Sequence, residues 1–119
     1  MAIDPSEIRL GAIVEAVIAD PRGQNSKQRP LIIVGIEEDG SVVFCAISSR
    51  FPTPIPHTCV RLPSDPLGHP STGLVLESVA YCDWVDSLDV SQIVHKRGYL
   101  STKTLNKVVQ IIESLADDD

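Results

Sequence analysis

Positive charge is scarce in this 119-residue chain, where 10 Lys and Arg stand against 16 Asp and Glu for a formal net charge of -6. That balance argues against a general nucleic-acid binder, whose non-specific affinity comes from neutralised phosphates. Aromatic residues are also few, and Phe51 is the only one in the two exposed loops 20–29 and 50–57, with Tyr81 and Trp84 further on. No apolar run approaches the roughly 20 residues that a membrane-spanning helix needs. The first residues lack the basic stretch and apolar run of a secretory leader, so a cytoplasmic location and no membrane partner are expected. The cysteines, Cys45, Cys59 and Cys82, are odd in number and include no CxxC pair, and His57 with Cys59 supplies too few ligands for zinc. Two of them lie in the apolar contexts VVFCAI and VAYCDWV, which suit buried thiols. The phosphate-loop, HExxH and GxSxG motifs are absent, and His57, His69 and His95 share no ligand spacing, so each reads as a polar surface group.

What is present describes a globular chain, with 43% hydrophobic and 22% charged residues. The length gives room for one domain, expected to span residues 1–119 with its core at about 9–116. Charge is unevenly placed. Arg22, Lys27 and Arg29 fall close together and Arg50 follows, so a local basic site on an acidic protein is possible. Asp117, Asp118 and Asp119 form a tail expected to lie in water.

Pro5 and Ser6 argue against regular structure in residues 1–9, which read as a tether. GAIVEAVI, ending at Asp20-Pro21, reads as the first strand, and PRGQNSKQRP as a surface loop. LIIVGI and SVVFCAIS are rich in β-branched residues and flank Asp39-Gly40, a pair suited to a tight hairpin turn. RFPTPIP, with Pro52, Pro54 and Pro56, cannot donate a ladder of hydrogen bonds and reads as an irregular excursion. HTCVRL alternates as a strand, SDPLGHPSTG is a second long loop, and GLVLESVAYCDWV is strand-like up to a polar break at Asp86 and Ser87. Another strand is expected around SQIVH. A helix capped by Ser101 or Thr102 then places Leu105, Val108, Val109, Ile112 and Leu115 on one face. Short strands without βαβ spacing exclude a doubly wound sheet and imply a mainly β, α+β fold of short antiparallel strands with a C-terminal amphipathic helix.

The run G11-A-I-V, then G23-Q-N-S-K-Q-R-P-L-I-I-V34, then V42-V-F-C-A-I-S-S49, together with G73-L-V-L-E-S-V-A-Y-C-D83 and the closing helix, resembles the MazF/PemK family of toxin endoribonucleases. The resemblance covers about residues 9–116 and rests on an Arg-Pro pair running into an apolar strand. It implies an SH3-like barrel, a homodimer, and metal-independent cleavage of single-stranded mRNA with no cofactor. The products would be 2',3'-cyclic phosphate and 5'-hydroxyl ends, and a cognate antitoxin protein would inhibit the reaction. Arg29 stands where the family keeps its catalytic arginine, and Ser48 where it commonly has threonine. Gln24 occupies a place often held by glutamate, and Asp83 lies near the aspartate that follows the third strand region. The chain departs from the pattern at Ala80, where many relatives carry an arginine, and in WVDSLD, which supplies acids where a second basic residue is usual.

A guanidinium suits the charge that builds on a phosphodiester during cleavage, because its planar fork binds two phosphoryl oxygens. Preorganised charge of this kind contributes about 3 kcal/mol in other transition states. Arg29 is therefore assigned to phosphate stabilisation and to protonation of the leaving oxygen, and Ser48 to a hydrogen bond on the same phosphate. The alternative for Arg29 is an ion pair with Asp20, Glu37 or Glu38; for Ser48 it is strand-end hydrogen bonding. Lys27, Arg50 and Asp83 are further substrate-binding candidates. Gln24 could read a base edge, and His57 is the nearest conventional base. Phe51 is suited either to stacking on a base or to pinning the proline loop, and Trp84 to closing the core or a dimer surface. The competing function is a non-catalytic barrel of the same family that binds protein or nucleic acid without turnover.

Overall fold

The computed structural model describes residues 5–116; Asp117, Asp118 and Asp119 lie outside the described residues. Six strands follow in order: β1 (Ala12–Ile18), β2 (Lys27–Ile36), β3 (Val42–Ser48), β4 (Cys59–Leu62), β5 (Ser78–Leu88) and β6 (Ile93–Tyr99). A single long helix, α1 (Thr102–Ala116), closes the chain. The strands form one antiparallel sheet in the order β4-β5-β3-β2-β1-β6. This is a mainly β arrangement with one C-terminal helix, consistent with an SH3-like barrel.

The apolar runs are explained by burial on both faces of the sheet. Alternation along β1 and β2 sends Val14, Ala16, Leu31 and Ile33 into one core with Phe44 and Ile93. Ile13 and Ile32 face the opposite way, into a second core with Cys45, Leu62 and Val108. Strands buried on both sides lose the polar half of their pattern and read as continuous hydrophobic stretches. The helix roofs the second core through Val108, Leu105, Ile111, Ile112 and Leu115. Ile111, and not the expected Val109, belongs to that contact. Ser101 is the cap: its Oγ accepts from the Thr104 N–H at 3.2 Å.

Several boundaries differ from expectation for local reasons. Pro5–Glu7 forms a short 3-10 turn where a structureless tether was expected. Strand β2 begins at Lys27, inside the segment read as a loop, because Lys27–Pro30 pairs with Ile18–Glu15 of β1. Pro30 is tolerated since pairing with β3 starts only at Leu31, so no partner on that side needs its missing N–H. Residues 73–77 are not strand, and Asp86 and Ser87 do not break β5 but pair with Phe44 and Val43. The β2–β3 hairpin turns at Gly40 (φ +89°), with the Asp39 carboxylate accepting from the Ser41 N–H at 2.9 Å.

The segment after β4 seals the β6 side of the sheet. Thr72 is 1% exposed, and its hydroxyl donates to the Pro63 carbonyl at 2.8 Å. The Tyr99 N–H donates to the Ser71 carbonyl, and a Cβ on Gly98 would lie 2.1 Å from that same oxygen. Glycine is required there by close backbone approach.

Candidate active site

A cleft opens where the β1–β2 loop, the start of β2, the end of β3 and the middle of β5 meet. Its loop is organised by Asp20, whose carboxylate accepts from the N–H of Arg22 (3.0 Å), the N–H of Gln24 (2.9 Å) and the side-chain amide of Asn25 (2.9 Å). The Gln24 N–H, followed by the Asn25 amide, holds the Asp20 carboxyl below its usual value. Gly23 (φ +78°) and Asn25 (φ +56°) take the left-handed conformations that complete the turn.

Arg29 lies half-buried at the foot of this loop. Its Nη2 donates to the Asn25 carbonyl at 2.9 Å, and its guanidinium lies 5.2 Å from the centre of the Trp84 ring. These contacts, with a longer one from Nε to the Ile18 carbonyl at 3.4 Å, restrain the fork, and the Asp20 carboxylate nearby feels its charge without pairing with it. The ion pairs among the described residues are Arg61–Glu77 and Arg97–Glu15, so no described carboxylate pairs with Arg29. Asp20 is spent on its own loop, and Glu37 and Glu38 lie at the far end of β2.

Ser48, Lys27 and Arg50 line one cavity with Arg29, an opening of about 590 Å³. A second opening of about 410 Å³ holds Lys27, Arg29 and Ser48 together with Gln28, Leu74 and Arg97. The Ser48 hydroxyl donates to the Arg50 carbonyl (3.1 Å) and accepts from the Arg50 N–H (3.0 Å), closing a tight turn at the end of β3. Tyr81 fixes the same carbonyl through its hydroxyl at 2.7 Å. Burial, then the neighbouring Cys59 and Asp83, push the Tyr81 hydroxyl up. Asp83 is exposed and lines a further recess with Ser48 and Trp84.

Not every candidate joins the cleft. Gln24 is exposed in the loop and engages Asp20 through its backbone. Phe51 is half-buried and His57 exposed, and neither lines these openings. Ala80 is fully buried in the second core, so an arginine there would point into apolar packing. The residues of β5 that face the cleft are Tyr81 and Asp83, one step out of register with Ala80. All three cysteines are buried and free, and no cluster of His, Cys, Asp or Glu among the described residues could hold a metal ion.

Sequence reasoning missed four contributors. Trp84 packs partly against the first core, yet its ring also backs Arg29. Asp20 reads from the sequence as an ion-pair partner for Arg29, although an Asp followed by Pro and Gly is a recognisable loop organiser. Tyr81 had no signal, because its partner lies 31 residues away. The fourth is a polar cluster beneath the cleft, where Glu15 accepts from Gln28 and pairs with Arg97. Burial raises the Glu15 carboxyl, but the Gln28 amide and the Arg97 guanidinium more than offset that and leave it lowered.

Residues 9–115 match the family described as PemK-like, MazF-like toxin of type II toxin-antitoxin system. The chain belongs to this family. Among solved structures, MazE-MazF (Form-II) from Deinococcus radiodurans superposes with a TM-score of 0.69 at 19% identity, covering 95% of this chain and 98% of that one. The Mycobacterium tuberculosis toxin MazF-mt6 gives 0.64 at 20% identity over 90% and 98%. An endoribonuclease in complex with its cognate antitoxin from Mycobacterial species gives 0.68 at 14% identity over 92% and 95%. No curated protein sequence is significantly similar. These likenesses describe the fold of this PemK/MazF-like chain. None of its described helices is long and apolar enough to cross a membrane.

Proposed function

We propose that this PemK/MazF-like protein is a metal-independent endoribonuclease toxin that cleaves single-stranded mRNA in the cytoplasm. It acts as a homodimer and is held in check by a cognate antitoxin. The observation that carries the reading is a guanidinium fixed by a backbone carbonyl and an indole face, unpaired with any described carboxylate, in a cleft shared with Lys27, Ser48 and Arg50. A phosphodiester entering the cleft meets a bidentate donor that loses little freedom on binding. Arg29 then stabilises the charge that develops as the ribose 2'-oxygen bonds to phosphorus and the bond to the 5'-oxygen breaks; the 2'-proton passes to water in the open cleft, and Arg29 gives a proton to the departing 5'-oxygen and regains one from water. Ser48 must rotate its hydroxyl off the Arg50 carbonyl to join in. Family membership and the solved MazE-MazF and antitoxin-bound relatives support the toxin and antitoxin roles.

The test is incubation of the purified dimer with varied single-stranded RNAs in EDTA. Fragments ending in 2',3'-cyclic phosphate are expected, as is their loss on adding the product of an adjacent small acidic gene. A folded dimer that cuts none of them would overturn the reading. Two observations favour a non-catalytic binding module: the Ser48 hydroxyl is closed on Arg50, and His57 stays out of the cleft. In that case the same RNAs bind without being cut.

A further inference from the structure

Beside the phosphate cleft lies a recess of about 430 Å³ lined by Pro21, Ser48, Tyr81, Asp83 and Trp84. Its size lies within the roughly 300–1,000 Å³ of small-molecule sites. Two of the chain's few aromatic residues meet there, Trp84 being its sole tryptophan. Asp83 is exposed and makes no hydrogen bond or ion pair with another described residue. The walls therefore suit a flat ring, and the single charged group in the recess, a carboxylate, accepts hydrogen bonds.

That pairing discriminates among RNA bases. Guanine presents N1–H and N2–H side by side on its Watson–Crick edge, two parallel donors matched to two carboxylate oxygens. Adenine and cytosine place a ring acceptor beside their amino group, and uracil flanks its single N–H with carbonyls, so each sets a lone pair against the carboxylate. The charge also fixes orientation. Asp83 repels phosphate, while Arg29, across the shared Ser48, attracts it. The sugar–phosphate backbone thus runs on the Arg29 side and the base points toward β5.

We infer that the recess is a guanine subsite, in which Asp83 reads the Watson–Crick edge of a nucleotide adjoining the phosphodiester held by Arg29. The inference rests on the RNA-cleaving reading above. Arginine side chains of a protein partner could also meet a carboxylate between rings, but the shared wall with the phosphate cleft favours a nucleotide.

The test is binding of uncleavable 2'-fluoro oligouridine pentamers carrying one guanine, inosine, adenine or cytosine, scanned through each position and read by Trp84 fluorescence. At one position guanine is expected to bind about tenfold tighter than uridine, with inosine, which lacks the 2-amino donor, in between. Asp83→Asn should reduce the guanine preference to within about twofold, with the circular dichroism spectrum retained. No guanine preference in the wild-type protein would overturn the inference, as would an undiminished preference in D83N. Tight binding of an arginine-rich peptide without any base preference would also overturn it. Cleavage that continues with no guanine dependence sinks this inference alone; guanine-dependent binding without cleavage sinks the catalytic reading alone.

Discussion

A guanidinium on four rotatable bonds is useful in a site only when something holds it still. In this protein the Asn25 carbonyl holds one edge of Arg29 and the Trp84 ring backs its face. Cation–π contacts near a surface contribute about 0.5–1 kcal/mol. Trp84→Ala is therefore expected to lower cleavage roughly threefold, with Trp84→Phe restoring most of it, measured as kcat/KM on one RNA. Asp20 acts one step further back, by fixing the loop that offers the carbonyl. Asp20→Ala should lower cleavage roughly tenfold through misplacement of Arg29, while the thermal midpoint of this exposed loop variant stays near that of wild type. Arg29 was legible because an Arg-Pro pair before an apolar strand has a distinctive context. Trp84 and Tyr81 were not, since their contacts join β5 to segments far away in sequence.

At the scale of elements, the start of β2 and the middle of β1 are tied to β6 by Glu15, Gln28 and Arg97. The pair is partly buried, and breaking such a pair by removing one partner costs up to about 3 kcal/mol, whereas replacing both by apolar groups is near neutral. Arg97→Met alone should destabilise strongly, and adding Glu15→Leu should recover most of the loss in urea unfolding. The lowered Glu15 carboxyl also predicts a pH effect. A carboxyl depressed in the folded state contributes stability that is fully present above the ordinary Glu value of about 4.3 and is lost as pH falls through the folded value. The stability gap between wild type and Glu15→Gln should accordingly be constant above about pH 5 and narrow below it. Elements with clean periodicity, such as α1 and the β2–β3 hairpin, were legible in the sequence. The starts of β2 and β5 were not, because pairing with β1 extends a Lys-Gln-Arg-Pro stretch of poor strand propensity, and because the 73–77 segment is apolar without being paired.

For the molecule as a whole, the acidic net charge and the basic cleft are compatible because Asp20, the carboxylate lining the cleft, is engaged by its own loop and other acids lie at the far end of the sheet. Lys27, Arg29 and Arg50 converge at one mouth, while Glu37, Glu38 and Asp39 cap the distant hairpin. The loop between β4 and β5 packs on β6 through close backbone contact of Gly98 with Ser71 and Thr72. Gly98→Ala should destabilise the protein by about 3 kcal/mol and lower its thermal midpoint in a single cooperative transition. The central claim is that Arg29 stabilises a phosphodiester during cleavage. It is tested most directly by single-turnover cleavage of one single-stranded RNA in EDTA by wild type, Arg29→Ala and Arg29→Lys. A loss of about a hundredfold or more is predicted for Arg29→Ala, with little rescue by lysine, which lacks the fork, and with folding intact. Cleavage by Arg29→Ala at the wild-type rate would contradict the account.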